Sequence, residues 1–301
     1  MTMIIKDFPA PGSNYSTSDL RQILRARPST TIAELDPDAT PGLPTEEDAR
    51  KLTMAMGPEL SAYQERLYAE SKTESCQDRR VLVVLQGLDT SGKSGIVRHV
   101  FGLVDPQGVK IKAFKKPTKE ELSHDFLWRI NKAVPERGYI GIFDRSQYED
   151  VLVVRVDELV PPEVWKQRFE LINEFEKGLS DQGVTIIKCF LHISPQEQEA
   201  RLLARLADPS KHWKYSRDDV TVRSKWYDYM AAYEDVLNLC NTDVAPWYVI
   251  PSNKKWYRNW AVASLLLDHL EEMSPQWPPA DFDVAEQIEA VKNSLSYSAN
   301  G

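Results

Sequence analysis

The 301-residue sequence has only three cysteines, and their spacing matches neither a disulfide framework nor a zinc site. Cys76, Cys189 and Cys240 lie far apart and form no CxxC pair. Cys189 stands inside an apolar run that is typical of a buried strand. We therefore expect buried thiols that have no chemical role.

Long hydrophobic runs are also missing from the sequence. No stretch approaches the roughly 18 apolar residues that a membrane span needs. The first residues lack a basic start followed by a continuous apolar run. The chain contains no internal repeat and no low-complexity segment. We therefore expect a cytoplasmic protein with no membrane partner.

The sequence has no excess of positive charge, since 37 Lys and Arg residues stand against 45 Asp and Glu and the net charge is −8. Nucleic-acid-binding proteins usually neutralise phosphates with a basic surface, so we expect no nucleic-acid partner. The basic residues nevertheless concentrate in segments 110–137 and 201–225, whereas 271–301 is acidic. Two basic segments in an acidic protein favour a local polyanion site, and a solvated helix face is the alternative for each segment.

Short β-rich runs alternate with helical patterns from residue 80 onward. Runs that are apolar on both faces and alternate with helices predict an α/β fold with a parallel sheet covered on both sides. The predicted strands are 81–86, 109–114, 139–143, 185–193 and 246–250. The predicted helices lie near 92–104, 118–134, 162–179, 195–207, 217–239 and 255–273.

A glycine-rich loop follows the first predicted strand. Its sequence, Gly87-Leu-Asp-Thr-Ser-Gly92-Lys93-Ser94, matches G-x-x-x-x-G-K-[ST] and leads into a helical pattern. Such a loop surrounds phosphate oxygens with backbone N–H groups, its lysine reaches the transferring phosphates, and its serine hydroxyl binds Mg²⁺. The alternative is a glycine turn with an exposed lysine. We predict phosphate contacts from Gly87, Thr90, Ser91, Gly92 and Ser94, and a catalytic role for Lys93.

Asp89 is unusual inside such a loop. A carboxylate among N–H donors repels phosphate unless a cation lies between them or the group handles a proton. Its presence predicts coordination of Mg²⁺ or orientation of the accepting phosphate. The alternative is an Asx-type turn residue that caps the loop.

A second acidic motif, FDRSQYED, follows the third predicted strand. Asp144 stands at the C-terminal end of that strand, where open α/β sheets bind ligands, and an Asp at this position holds Mg²⁺ directly or through water. Arg145 could bind transferred phosphates or form a simple ion pair with Asp144. We predict a metal site of Asp89, Ser94 and Asp144, and a catalytic centre of Asp89, Lys93, Asp144, Arg145 and Glu149.

The first basic segment supplies further phosphate-binding candidates. Lys115 and Lys116 follow the second predicted strand at the ligand edge of the sheet, and solvated loop lysines are the alternative. Arg129 lies one predicted helix further on among apolar positions, where a structural ion pair is the alternative. All three residues are predicted to bind phosphate or nucleotide.

The second basic segment contains a break at Asp208-Pro209 between two predicted helices. Kinases exclude water by closing such an element over the phosphates, so we predict a lid at about 205–220. The aromatic residues that follow are predicted to form the buried side of a helix: Trp226, Tyr227, Tyr229, Met230 and Tyr233. The predicted phosphate- or nucleotide-binding residues are Arg201, Arg205, Lys211, Lys214, Arg217 and Arg223.

Together these residues resemble the polyphosphate kinase 2 family. The matching segments lie between about 80 and 273 and include GLDTSGKSG, FKKPT, LWRI, FDRSQYEDVLVVRV, SPQEQEARLLARLADPSKHWKYS, WYDYMAAYEDVL and APWYVIPSNKKWYRNWAVA. The resemblance implies a three-layer α/β/α P-loop kinase fold with a helical lid. It also implies Mg²⁺-dependent, reversible phosphoryl transfer between inorganic polyphosphate and nucleotides. It assigns the catalytic centre to Asp89, Lys93, Asp144, Arg145 and Glu149, and phosphate contacts to Arg129, Arg201, Arg205 and Lys214.

The resemblance also bears on substrate range. Many relatives have Asn-Arg-Ser-Trp-Tyr-Asn where this chain has DRSQYE at 144–149, and the acidic version resembles the subgroup that phosphorylates nucleoside monophosphates as well as diphosphates. We expect a homo-oligomer whose partners are polyphosphate, nucleoside mono- or diphosphates and ATP. The expected organisation is a partly helical N-terminal extension (1–75), a P-loop kinase domain (76–273) and a C-terminal tail (274–301). The alternatives are an ATP-dependent nucleoside or small-molecule kinase and an ATP-binding switch or assembly protein.

Overall fold

The computed structural model describes residues 17–43, 45–73 and 77–294. Its five strands form one parallel sheet in the order β2-β3-β1-β4-β5. They are β1 (Arg80–Gln86), β2 (Val109–Ala113), β3 (Ile140–Asp144), β4 (Val184–His192) and β5 (Trp247–Pro251). All five predicted strands are confirmed to within one residue at each end. Cys189 and Cys240 are buried as predicted, and Cys76 lies outside the described residues.

Helices cover both faces of this sheet. They are α1 (Thr17–Leu24), α2 (Glu46–Glu70), α3 (Lys93–His99), α4 (Trp128–Asn131), α5 (Val153–Val156), α6 (Pro162–Asp181), α7 (Pro195–Ala207), α8 (Asp218–Ser224), α9 (Trp226–Leu239), α10 (Lys255–Met273) and α11 (Val284–Asn293). Successive side chains of β1 point to opposite faces: Val83 packs in a cluster with α2, α3 and α10, and Val84 in a cluster with α6 and α9. The fold is therefore a three-layer α/β/α arrangement, as predicted.

The predicted helix at 118–134 is wrong. The structure has a 3-10 turn at Glu121–Ser123 and a single helical turn at α4. Asp125 Oδ1 accepts a hydrogen bond from Leu127 N (2.9 Å), and Glu121 Oε2 accepts one from Thr118 N (2.8 Å). These polar side chains bind nearby backbone groups in non-helical geometry, so they compete with a continuous helix.

Two other predicted helices are shorter than expected. The helix at 92–104 ends at His99 and continues as a 3-10 turn, and the helix at 217–239 is interrupted at Lys225, where φ is −99° and ψ is 25°. Trp226, Tyr229 and Tyr233 line the buried face of α9 as predicted. Tyr227 is 83% exposed, because it follows Trp226 by one position and so points about 100° away from that face.

Residues before α2 cover the free edge of β5. Arg25 forms an antiparallel bridge with Tyr248, and Ala26 N donates to Trp247 O (2.8 Å). Leu20 and Leu24 of α1 are buried in the same cluster as α10. None of the helices in the described part of the chain has the length and apolar character needed to cross a membrane.

Candidate active site

The phosphate loop and the second acidic motif leave the sheet side by side. Strands β1 and β3 are paired in parallel, so that Leu85 lies opposite Asp144, and Arg145 N donates to Leu85 O (3.0 Å). Gly87 and Arg145 therefore follow neighbouring strands at the carboxyl edge of the sheet, where α/β folds bind their ligands.

Backbone geometry requires glycine in the loop. Gly87 and Gly92 have φ values of 150° and 114°, which favour glycine. A Cβ atom on Gly87 would also lie 2.8 Å from Leu191 O, closer than a real contact allows. Thr90 adopts a φ of 67°, so the loop turns sharply at a residue that carries a side chain.

Lys93 lies inside the loop and is only 8% exposed, so the alternative of an exposed lysine is wrong. Its Nζ donates to Gly87 O (2.7 Å) and Leu88 O (3.3 Å). Burial, with repulsion from Arg145, lowers the pKa of Lys93, although nearby carboxylates oppose this shift. The ammonium group is therefore desolvated and held against the loop carbonyls.

Two hydroxyl groups in the loop are buried without a hydrogen-bond partner in the described part of the chain. They are Thr90 Oγ1 and Ser91 Oγ. A buried hydroxyl without a partner costs free energy, so these groups gain when a ligand supplies acceptor oxygens. Ser94, the second residue of α3, is exposed.

An ion pair joins the two motifs. Arg145 Nη2 donates to Asp89 Oδ1 (2.8 Å), and Arg145 adopts a φ of 64° at the turn after β3. The alternative predicted an ion pair of Arg145 with Asp144. The structure shows an ion pair instead with Asp89, the carboxylate of the phosphate loop. Burial lowers the pKa of Arg145, but Glu149, Asp89 and Asp144 outweigh this effect and raise it.

Glu149 lies in the 3-10 turn Gln147–Asp150 and is half-buried. The Gln86 amide, oriented so that both of its ends are satisfied, donates to Glu149 Oε1 (3.1 Å) and accepts from Ser146 N (3.2 Å). Burial raises the pKa of Glu149, and Arg145 and Lys93 partly oppose that shift. Gln86 thus connects the end of β1 to the second motif.

The oxygen donors at this edge suit Mg²⁺ bound together with phosphate. Within the described residues, no three His, Cys, Asp or Glu side chains form a complete metal site. Mg²⁺ commonly keeps several waters and takes one or two carboxylates plus substrate phosphates, so it does not need a complete protein cage. Asp89 and Asp144 both act on the charges of Lys93 and Arg145, so the two carboxylates share one site.

The predicted lid lies between α7 and α8 as the 3-10 helix Pro209–Lys214. Lys211, Lys214 and Arg217 are exposed, and Arg205 Nη1 donates to Lys214 O (2.9 Å) and Asp219 Oδ2 (3.4 Å). Burial raises the pKa of Asp219, and the charge of Asp89 adds to that shift. The start of α8 is therefore close enough to the phosphate loop for the two charges to interact.

Several predicted phosphate ligands bind protein groups instead of pointing freely into the site. Arg129 is buried, donates to Lys115 O (2.9 Å) and lies 3.6 Å from Asp150 Oδ2, which matches its structural alternative. Arg223 donates to Pro195 O (2.7 Å) and to a carboxylate of α7. Lys115 and Lys116 are exposed, in keeping with either interpretation. That these residues contact a ligand is still a prediction.

Arg201 contacts the backbone of the phosphate loop. Its Nη1 donates to Thr90 O (2.8 Å) and Ser91 O (3.2 Å), and its Nη2 donates to Ser252 O (2.6 Å) and Asn253 O (2.8 Å). The guanidinium thus joins the loop after β1 to the loop after β5. Because Arg201 binds the carbonyl oxygens of the loop, the loop N–H groups are left available for a phosphate ligand.

Arg258 of α10 also contacts the phosphate loop, and no sequence motif indicated this residue. It is 3% exposed, and its Nη1 donates to Ser91 O (3.2 Å). A Cβ atom on Gly92 would lie 1.7 Å from Nη1, and one on Gly95 would lie 2.7 Å from Nη2. The guanidinium therefore fills the space that these two glycines leave open, and the loop glycines serve packing as well as turning.

A buried polar network supports the second motif from behind. Lys188 Nζ on β4 donates to Glu176 Oε2 (2.5 Å), Tyr148 OH (2.8 Å) and Cys240 O (2.7 Å). Glu176 Oε1 accepts from Tyr148 OH (2.7 Å) and Gln147 Nε2 (2.8 Å). Lys188 and Glu176 are fully buried, so the segment that carries Arg145 and Glu149 is fixed to the core.

The strand order and the G-x-x-x-x-G-K-[ST] loop after the central strand define a P-loop fold of the kinase type. The family model of polyphosphate kinase 2 (PPK2) matches residues 46–278. The crystal structure of polyphosphate kinase 2 from Arthrobacter aurescens TC1 is similar, with a TM-score of 0.89, 48% identity, and coverage of 95% of this chain and 100% of that one.

Two curated relatives are similar in sequence. The AMP/ADP-polyphosphate phosphotransferase of Meiothermus ruber is 46% identical over 248 residues, which cover 82% of this chain and 91% of the relative. The ADP-polyphosphate phosphotransferase of Rhodopseudomonas palustris is 39% identical over 231 residues. The match covers 73% of this chain and 78% of the relative. The chain belongs to the polyphosphate kinase 2 family.

Proposed function

We propose that this protein transfers phosphoryl groups between inorganic polyphosphate and nucleoside mono- and diphosphates, in a reversible, Mg²⁺-dependent reaction. The observation that carries the proposal is the ion pair between Asp89 and Arg145. It joins a phosphate loop to the Asp144 motif at the edge of two neighbouring strands. The names of the Meiothermus and Rhodopseudomonas relatives support polyphosphate and AMP or ADP as the substrates.

The chemistry that the site offers is positioning and charge stabilisation. In phosphoryl transfer the protein mainly aligns the two substrates and stabilises charge on the transferring group. Lys93 and Arg145 supply positive charge next to the loop, and loop N–H groups bind the phosphate oxygens. Asp89, Ser94 and Asp144 would hold Mg²⁺, which neutralises charge on the phosphates when it is bound.

The lid contributes exclusion of water. Lys211, Lys214 and Arg217 are exposed on a short segment between two helices, next to a site whose phosphates would attract them. Closure of this segment over a polyanion would bring those charges to the phosphates and remove water that could hydrolyse the transferred group. The exposed lysines and the proximity of Asp219 to Asp89 support this role.

A coupled assay tests the proposal. Polyphosphate and Mg²⁺ are incubated with AMP, ADP, GMP or GDP in turn, and product nucleotides are separated by chromatography. Formation of ADP or ATP without added ATP is expected. Activity with ATP as the sole donor to a nucleoside would instead support the ordinary nucleoside kinase. Binding of ATP without turnover would support the switch protein.

The acidic form of the second motif motivates the substrate range. AMP and ADP differ by one phosphate, so an enzyme that uses both must accommodate two acceptor charges at one reaction point. Glu149 and Asp144 lie near the same cationic groups and could place an additional or movable cation there. We expect AMP to give ADP first and then ATP in one tube without adenylate kinase.

The variant Glu149→Asn should reduce the AMP reaction more than the ADP reaction. The exposed Glu163→Asn serves as a control, since it removes an acidic residue at the start of α6. Conversion of ADP alone under matched Mg²⁺ would contradict the dual substrate range and leave the family membership intact. The homo-oligomer expected from the sequence is part of the proposal, and a single monomeric boundary in sedimentation velocity would contradict it.

A further inference from the structure

We propose that Arg258 is a buried positive charge that supports phosphate binding by the loop. Its guanidinium has no anionic partner within the described residues, and phosphate bound on the other side of the loop backbone would compensate its charge. This inference extends the proposed function. It rests on one part of that function, namely that the loop binds phosphate. Arg258 would be a positioning residue that acts on phosphate through the loop, in addition to the candidate catalytic and phosphate-binding residues.

The position of Arg258 is the first argument. Its guanidinium lies against Gly92 and Gly95, on the outer side of the backbone where the loop becomes α3. It donates to Ser91 O (3.2 Å), so one loop carbonyl is turned toward Arg258. In the proposed function the loop N–H groups bind phosphate oxygens, so this cation lies directly against the backbone that would hold them.

The missing partner is the second argument. In residues 17–43, 45–73 and 77–294, the groups that bind Arg258 are Ser91 O and Asn259 Oδ1, and both are neutral. No carboxylate of this part of the chain acts on its charge, whereas Arg201 repels it. Burial and this repulsion lower the pKa of Arg258 to about 9. The guanidinium is still charged at neutral pH, so it is a buried cation that no anion among the described residues compensates.

Within the described residues, the other buried cations have carboxylates that act on their charge. Lys93 has no direct ion pair in that part of the chain, but Asp144, Asp89 and Glu149 act on it. Lys188 has Glu176 at 2.5 Å, Arg129 has Asp150 at 3.6 Å, and Arg201 has Glu197 at 2.6 Å. An unpaired buried charge is costly, and a protein that retains one needs a compensating gain. Phosphate anions in the loop would supply that gain, because attraction across a region of low dielectric is strong.

Neutral variants separate this role from simple packing. Arg258→Met removes the charge and keeps much of the side-chain length, and Arg258→Gln removes the charge but can still donate to Ser91 O. Arg258→Lys keeps the charge without the planar group. Arg79→Met is the matched control, because Arg79 is paired with Glu70 (2.5 Å) at the opposite end of β1.

The measurement is binding of inorganic tripolyphosphate with Mg²⁺ by calorimetry, together with the Tm of each ligand-free variant. We expect Arg258→Met and Arg258→Gln to keep a ligand-free Tm equal to or above that of the unmodified protein and to lose at least about tenfold in affinity. Arg258→Lys should recover most of that affinity. Arg79→Met should lower the ligand-free Tm and leave the affinity unchanged.

Two outcomes would overturn the inference. Unchanged affinity in both neutral variants would show that the charge does not reach the phosphate site. An affinity of Arg258→Lys as low as that of Arg258→Met would show that the shape of the guanidinium matters and its charge does not. Binding of tripolyphosphate is measured without turnover, so an enzyme that fails to phosphorylate AMP or ADP would contradict the proposed function and still test Arg258.

Discussion

The loops after β1 and β3 meet at one edge of the sheet but are supported in opposite ways. Behind the loop after β1 lie Arg201 and Arg258, whose guanidinium groups donate to loop carbonyls. Behind the loop after β3 lies the Lys188–Glu176 pair, in which each charge has its partner. The first support concentrates positive charge near the predicted phosphate site, and the second holds geometry without adding net charge. In the proposed function, the first support would contribute to phosphate affinity and the second to the rigidity of the second motif.

Breaking the Lys188–Glu176 pair should have the largest effect, and this effect is on stability. Glu176→Ala leaves Lys188 as a fully buried ammonium without its carboxylate, so we expect a loss of about 3–5 kcal/mol in the free energy of unfolding. Urea denaturation followed by circular dichroism measures it. The double variant Glu176→Leu with Lys188→Met is the control and should recover most of the loss, because apolar residues often replace a buried pair at little cost. A single variant as stable as the unmodified protein would contradict this account of the network.

Removing a charge from the phosphate loop should affect turnover and spare the fold. Lys93→Ala removes a preorganised cation beside the transferring phosphates, and we expect a loss in turnover of at least about 100-fold. The Tm should stay close to that of the unmodified protein, because Lys93 is desolvated and its pKa is lowered. Steady-state kinetics measures turnover, with the exposed Lys177→Ala as control. Unchanged turnover would remove Lys93 from the catalytic centre.

The lid should respond more weakly than the loop. Replacing both Lys211 and Lys214 with alanine should raise the KM for polyphosphate several-fold and flatten its dependence on salt, because exposed charges steer a polyanion through a screened field. The control replaces Lys51 and Lys177, exposed lysines that pair with acids one turn away. If neither KM nor its salt dependence changes, the segment is an ordinary surface turn.

The smallest expected effect concerns Glu149, whose pKa is raised by burial in the folded state. A carboxyl group with a raised folded pKa binds more protons when folded, so its contribution to stability declines as pH rises through that pKa. Glu149→Gln should therefore raise the ligand-free Tm at neutral pH by about 2 °C. The difference should shrink as pH falls toward the ordinary range of a glutamate. A difference that grows on acidification would have the wrong sign for a destabilised carboxylate.

The sheet and the phosphate loop could be predicted because their signals are contiguous. Five apolar runs marked the strands, and the loop, Asp144 and Glu149 each lie within one short motif. The predicted helix at 118–134 failed because the side chains of Asp125 and Glu121 accept hydrogen bonds from nearby backbone groups, which periodicity does not reveal.

Tertiary packing decided the remaining site residues. Arg258 stands 167 positions after Ser91, and the signal available was one arginine inside the apolar pattern of α10. Arg201 was predicted at the site as a phosphate ligand, but its contacts with four carbonyl oxygens depend on two loops that are far apart in the sequence. A sequence pattern indicates that a charge is needed and does not indicate which side of the loop it occupies.

The two edges of the sheet are protected from pairing with another chain by different means. The backbone of Arg25 and Ala26 occupies hydrogen-bonding groups of β5, whereas β2 exposes Lys110 and Lys112 on the opposite edge. Uncovered strand edges template aggregation, and lysines on an edge oppose it. A variant that lacks residues 1–26 would keep every candidate active-site motif. Its β5 would be an open, apolar edge, so the variant would be prone to aggregate.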